Sequence, residues 1–113
     1  MKVLDGSMKA FKNNNGRGFL LTFPNGICLS TQFSATHYCE NYNISSLIAD
    51  GEKTDWESND VEIAIFAPNG DWITREFEDK GDDVLGHLSM DKWLKAFDFC
   101  RNWKPKEVGS SSR

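Results

Sequence analysis

The chain has 113 residues, 39% of them apolar and 27% charged, with a formal net charge of −4. That length fits one domain with a core of its own and no need of disulfides or metals, and the composition excludes a disordered chain. No stretch approaches the roughly 18 apolar residues of a membrane span, and the opening Met1-Lys2-Val3-Leu4-Asp5 meets a charge too early for a secretory leader.

Cys28, Cys39 and Cys100 are odd in number and have no CxxC spacing, so they read as reduced thiols of a cytoplasmic protein. The charge is uneven: Asp50 to Asp83 carries a net of −9 and the remainder +5. This argues against a uniformly basic nucleic-acid surface and leaves room for an acidic face that meets a basic partner.

In chain order, Ser7 to Lys12 is a short, weak strand, followed by a turn cluster, Asn13-Asn14-Asn15-Gly16-Arg17-Gly18. Phe19 to Phe23 and Ile27 to Phe33 alternate as strands on either side of Pro24-Asn25-Gly26. Ser34 to Asn59 is long and mixed, with Ile44 to Ala49 undecided between a helical turn and an edge strand. Val61 to Ala67 is the clearest strand; Pro68-Asn69-Gly70 repeats the corner, and Trp72 to Phe77 is expected to return as a strand. Glu78 to Asp83 reads as an acidic loop. Ser89 caps a helix whose Met90, Trp93, Leu94, Phe97 and Cys100 or Arg101 sit at helical spacing, ending near Asn102 or Trp103 ahead of Pro105.

The expected fold class is α+β: an antiparallel sheet of about five strands, including two Pro-Asn-Gly hairpins, with one C-terminal amphipathic helix on a face. Residues 1–107 form the single domain and 108–113 a disordered tail. Trp93, Leu94 and Phe97 are expected to meet Val61, Ile63 and Ile65.

The candidate chemistry is thin. His37 and Cys39, with Cys28, His87 and Cys100, match no zinc spacing, and a Cys39–His37 nucleophile lacks an orienting third group. Ser89-Met90-Asp91-Lys92 has the S-x-x-K form without the companion motifs that catalysis requires. The acidic residues have no EF-hand spacing, and the Asn14–Gly18 nest leads into a strand instead of a helix. No catalytic residue, metal or cofactor is therefore assigned. The aromatic residues near loops, Tyr38, Tyr42, Trp56 and Trp72, suit an interface or a base-stacking pocket.

Phe11-Lys12-Asn13-Asn14-Asn15-Gly16-Arg17-Gly18-Phe19, Leu21-Thr22-Phe23-Pro24-Asn25-Gly26, Ser30-x-Gln32-Phe33, Tyr38-Cys39-Glu40-Asn41, Val61–Ile65, Asn69-Gly70-Asp71-Trp72 and Asp82–Gly86 together resemble a group of small proteins encoded by tailed bacteriophages and prophages. No activity and no catalytic residues come with the resemblance. It implies an accessory protein of the bacterial cytoplasm that neutralises host defence, by binding a host protein or by sequestering a nucleotide signal.

The expected contacts are Arg17, Tyr38, Tyr42, Trp56 and Trp72 for a ligand, and Glu76, Glu78, Asp79, Asp82 and Asp83 as the acidic partner face. A homo-oligomer is compatible with either reading. The alternatives are a small hydrolase or metal-dependent enzyme, or a virion component.

Overall fold

The structure, a computed structural model, describes residues 9–13, 16–34, 37–40, 56–79 and 82–105. Five strands, β1 (Phe11–Asn13), β2 (Gly18–Thr22), β3 (Cys28–Gln32), β4 (Asp60–Phe66) and β5 (Leu85–Ser89), form one sheet in the order β1-β2-β3-β4-β5. Every neighbour is antiparallel. A one-turn helix, α1 (Thr74–Phe77), lies between β4 and β5, and α2 (Met90–Asn102) follows β5 without a loop. This is the α+β architecture of the sequence reading. Ile44 to Ala49 and the 108–113 tail lie outside the described residues.

The strand alternation sorts the side chains onto two faces. Leu21, Leu29 and Ile65 stand in one cross-strand row, and Phe19, Thr31 and Ile63 in the next. These rows carry α2, which presents Ala96 and Cys100, both fully buried, with Trp93 and Phe97 beside them. Phe23 meets Phe97 edge-on at 5.0 Å between centroids, and Trp93 Nε1 donates to Thr31 Oγ1 at 2.9 Å. Leu94 departs from the expectation: it is 48% exposed, and the fully buried contacts come from the smaller Ala96 and Cys100, which let the helix approach the sheet.

The two Pro-Asn-Gly corners form alike. Gly26 and Gly70 adopt φ of 89° and 92°, a conformation that costs glycine little. Their surroundings differ. Asn25 Nδ2 donates to the Cys100 and Trp103 carbonyls at 2.8 and 3.0 Å, so the first corner caps the C-terminus of α2. Asn69 bonds only within its own turn, to Asp71.

The expected strand Trp72–Phe77 does not form. Trp72 makes a single bridge to Phe66. Ile73 N donates to Ile65 O at 2.8 Å, and then the fully buried Thr74 takes the ladder position with its side chain, accepting from Ile65 N at 2.9 Å. The backbone is released to turn into α1.

The fifth strand is instead Leu85–Ser89, between the acidic run and α2, where the sequence pattern predicts no element. Its pairing with β4 contains a bulge: Val61 faces Leu88 and Ile63 faces Leu85, so three steps along β5 oppose two along β4. His87 sits in that bulge at φ 55°. Of the expected strand Ser7–Lys12, Phe11 and Lys12 lie in β1, Lys9 and Ala10 precede it, and Ser7 and Met8 lie outside the described residues.

Candidate functional site

The sheet face away from α2 carries the row Lys12–Leu20–Ser30–Ala64, flanked by Gln32–Glu62 on one side and Thr22–Cys28–Phe66 on the other. No helix among the described residues covers it. A trough of about 390 Å³ runs across it, reaching from Lys12 to Trp72 and His37. Trp72 is 42% exposed and stands edge-on against Phe66 at 4.6 Å between centroids.

One wall of the trough is the segment His37–Glu40, laid along β4 and β5. His87 N donates to Tyr38 O at 2.8 Å, and Tyr38 N donates to Glu62 Oε2 at 3.4 Å. Gly86 permits this approach: a Cβ there would come within 2.4 Å of Tyr38 Cβ. Beyond it, Glu40 N donates to Asp60 Oδ1 and Asn59 N to Glu40 Oε1, each at 2.6 Å. Asp60 Oδ2 lies 3.2 Å from His87 Nδ1. Burial alone would push the Asp60 carboxyl up, but the bonds from Glu40 N, His87 and Ser58 outweigh it and hold the group below the usual carboxylate range.

A smaller, mostly apolar cleft of about 210 Å³ opens on the other face, at the start of α2, between Phe19, Phe33, Val61 and Trp93. The acidic residues form a ridge beside α2. Glu76 accepts from Trp103 Nε1 at 3.0 Å, Glu78 pairs with Lys92, and Asp83 lies 3.8 Å from Arg75. Asp79, Asp82 and Asp83 are exposed.

The residues singled out for chemistry have structural duties. His37 Nδ1 lies 2.8 Å from the Oγ of the fully buried Ser34, and Cys39 Sγ donates to Ser34 O at 3.6 Å, so both side chains fasten the turn at Ser34. Ser89 Oγ accepts from Lys92 N as the helix cap. All three cysteines are buried thiols outside any disulfide. Burial pushes the Cys28 thiol up against a small opposing effect of Thr22, and burial with nearby Cys28 pushes Cys100 up to about 12. Such thiols are poor nucleophiles. Among the described residues, no group of three His, Cys, Asp or Glu is arranged to hold a metal, and no helix is long and apolar enough to cross a membrane.

The expected ligand contacts are not gathered at one place. Trp72 lies on the helix-free face and Tyr38 in its wall. Arg17 lies just outside β2, its carbonyl accepting from Phe33 N at 2.9 Å, so the alternation sets it on the side of Phe19 and α2, at the far end of the sheet from Phe66. Trp56 is half-buried ahead of β4, and Tyr42 lies outside the described residues. Residues not singled out for binding, Lys12, Leu20, Glu62 and Phe66, share the trough with Trp72. Their shared face was legible strand by strand, but their adjacency depends on the sheet order.

Among the described residues the fold is thus a five-stranded antiparallel sheet with α2 on one face, and its chemistry-bearing surfaces are the face away from α2 and the acidic ridge. No protein-family model matches the chain, and no curated protein or solved structure matches it.

Proposed function

We propose that the protein acts by binding, with its acidic ridge as the surface that meets a basic protein partner. One observation carries this reading. From Asp71 to Asp83 the chain bears Asp71, Glu76, Glu78, Asp79, Asp82 and Asp83 against Arg75 and Lys80, and all of these acids but the half-buried Glu78 are exposed. A like-signed edge of this kind steers a cationic partner and fixes its orientation. The resemblance to small phage proteins supplies the setting: an accessory protein of the infected bacterium whose partner is a host defence factor. The nucleotide-sequestering alternative has less support, because Arg17 and Trp72 lie on opposite faces.

Affinity capture from phage-infected bacteria tests the reading, with the natural chain compared against a variant carrying Asp79→Lys, Asp82→Lys and Asp83→Lys. The three side chains are exposed and the Arg75–Asp83 pair is a surface one, and thermal unfolding of the variant checks that its fold is kept. The natural chain is expected to retain a basic protein, and the purified pair to weaken steeply with salt. The variant should bind that protein about tenfold or more weakly, a change of about 1.4 kcal/mol or more. A partner held equally well by the variant would overturn the proposal, as would a retained nucleotide in native mass spectrometry with no protein partner.

A further inference from the structure

The helix-free sheet face is built in a pattern that fits itself. We infer that two copies of the chain pack through this face as a two-fold symmetric dimer, with α2 and the acidic ridge of each copy turned outward. The face holds an exposed cation, Lys12 on β1, at one side and carboxylates of β4, Glu62 and Asp60, at the other, with Leu20, Ser30, Ala64 and Phe66 between and beside them. A face with its cation at one side and its carboxylates at the other can set opposite charges together against a copy of itself.

The register specifies how. Adjacent strands stand about 4.8 Å apart, so β1 and β4 are separated by about 14 Å. A two-fold axis lying in the interface, parallel to the strands and between β2 and β3, exchanges β1 with β4 and β2 with β3. Within the row Lys12–Leu20–Ser30–Ala64 that operation sets Lys12 over Ala64 and Leu20 over Ser30, a long side chain over a short one each time. Two sheet faces in contact lie about 10 Å apart, and interdigitation of this kind fills that gap. Glu62 is two residues along β4 from Ala64, about 7 Å away, within the span of the lysine stem. Each dimer therefore contains two equivalent Lys12–Glu62 pairs, as an isologous interface requires.

The aromatic pair completes the fit. Phe66 stands in the row of Thr22, whose N–H donates to Ala10 O, so the same operation lays Phe66 over the small Ala10 at the start of β1. Trp72, one position farther out than Phe66, then closes over the outer edge of the other copy's β1. That edge belongs to a three-residue strand whose residues are all exposed, and the ring hinders a further strand from pairing there. The His37–Glu40 wall bounds the trough on the β5 side and sets where the second copy stops.

Sedimentation velocity tests this from about 1 to about 100 µM, the weak end of the range that interfaces of ordinary size span. The natural chain should pass from monomer to dimer within that range. Lys12→Glu and Glu62→Lys alone should each weaken the dimer about tenfold or more, because each brings like charges together twice. Mixing the two variants should restore a heterodimer, in which both charge pairs are again opposite.

Glu62→Lys also removes the acceptor for Tyr38 N. Lys12→Glu, on an exposed edge strand, is therefore the variant whose fold is least perturbed, and thermal unfolding of each variant separates misfolding from dissociation. A natural chain that stays monomeric throughout would overturn the inference. So would a dimer that Lys12→Glu leaves intact, or folded variants that fail to recombine on mixing. The ridge proposal is untouched by any of these outcomes, since Asp79, Asp82 and Asp83 do not lie in this interface.

Discussion

Asn25 and Asn69 hold the same place in two Pro-Asn-Gly corners, yet only Asn25 reaches across the fold, giving both amide protons to the last carbonyls of α2. The difference arises from where each corner points, not from the tripeptide. Asp60 is the residue on which local bonding concentrates: it holds Glu40 N, faces His87 and bonds Ser58, and these contacts keep its carboxylate ionised below the ordinary range. Because the folded-state pKa lies below the unfolded one, the stability this gives is complete above the unfolded value. It is lost as pH falls through the folded value. Asp60→Asn imitates the protonated group. It should cost about 1 kcal/mol at pH 7, and the gap to the natural chain should close under acid conditions where Asp60 itself is protonated. Urea unfolding at neutral and acid pH measures both; a gap of constant size would show that the charge contributes nothing.

At the scale of elements, β2, β3 and β4 were legible because each alternates cleanly between an apolar and a mixed side, and the corners between them carry their own turn chemistry. The helix was legible from Ser89 and from Pro105, which bound it at both ends. Two segments misled for physical reasons. Trp72 to Phe77 has strand composition, but Thr74 satisfies Ile65 N with its hydroxyl and frees the backbone to turn. Leu85 to Ser89 has leucines three apart, which fits no strand until the bulge at Gly86 and His87 is known. The first point is testable. Thr74→Val keeps the shape and removes the hydroxyl, leaving a buried N–H without its acceptor, and should destabilise by about 1–3 kcal/mol. Thr74→Ser keeps the oxygen and should lose less. Denaturant midpoints of the two variants distinguish a bonding role from a packing role.

At the scale of the whole molecule, α2 makes the two sides of the sheet unequal among the described residues. One side is sealed by Ala96, Cys100, Trp93 and Phe97; the other holds Leu20, Phe66 and Trp72 half in water. The sequence indicated which residues share a side of each strand, and it placed Trp72 and the acidic run among the candidates. It did not disclose that Lys12 and Glu62 share a face, because that follows only from β1 and β4 standing three strands apart in one sheet. Nor did it disclose that Arg17 and Trp72 are set at opposite ends. Sites that depend on the order of strands are invisible to local periodicity. The acidic ridge was legible because it is continuous in the chain.

Ser89 ends β5 and caps α2 in the same residue, so no linker separates the last strand from the helix. During synthesis the sheet's apolar side, with Leu29, Ile63 and Ile65, waits for this one element. At about 5–20 residues per second, the 13 residues of α2 follow the strand within about 1–3 s. A message cut short after the Ser89 codon would make that exposure permanent. Its product should be insoluble or quickly degraded, and should bind hydrophobic dyes wherever it survives; a soluble, monomeric product would mean that the sheet closes without its helix. The joint thus acts as a timer, keeping the interval in which the nascent chain is sticky down to the time needed to make three and a half turns of helix.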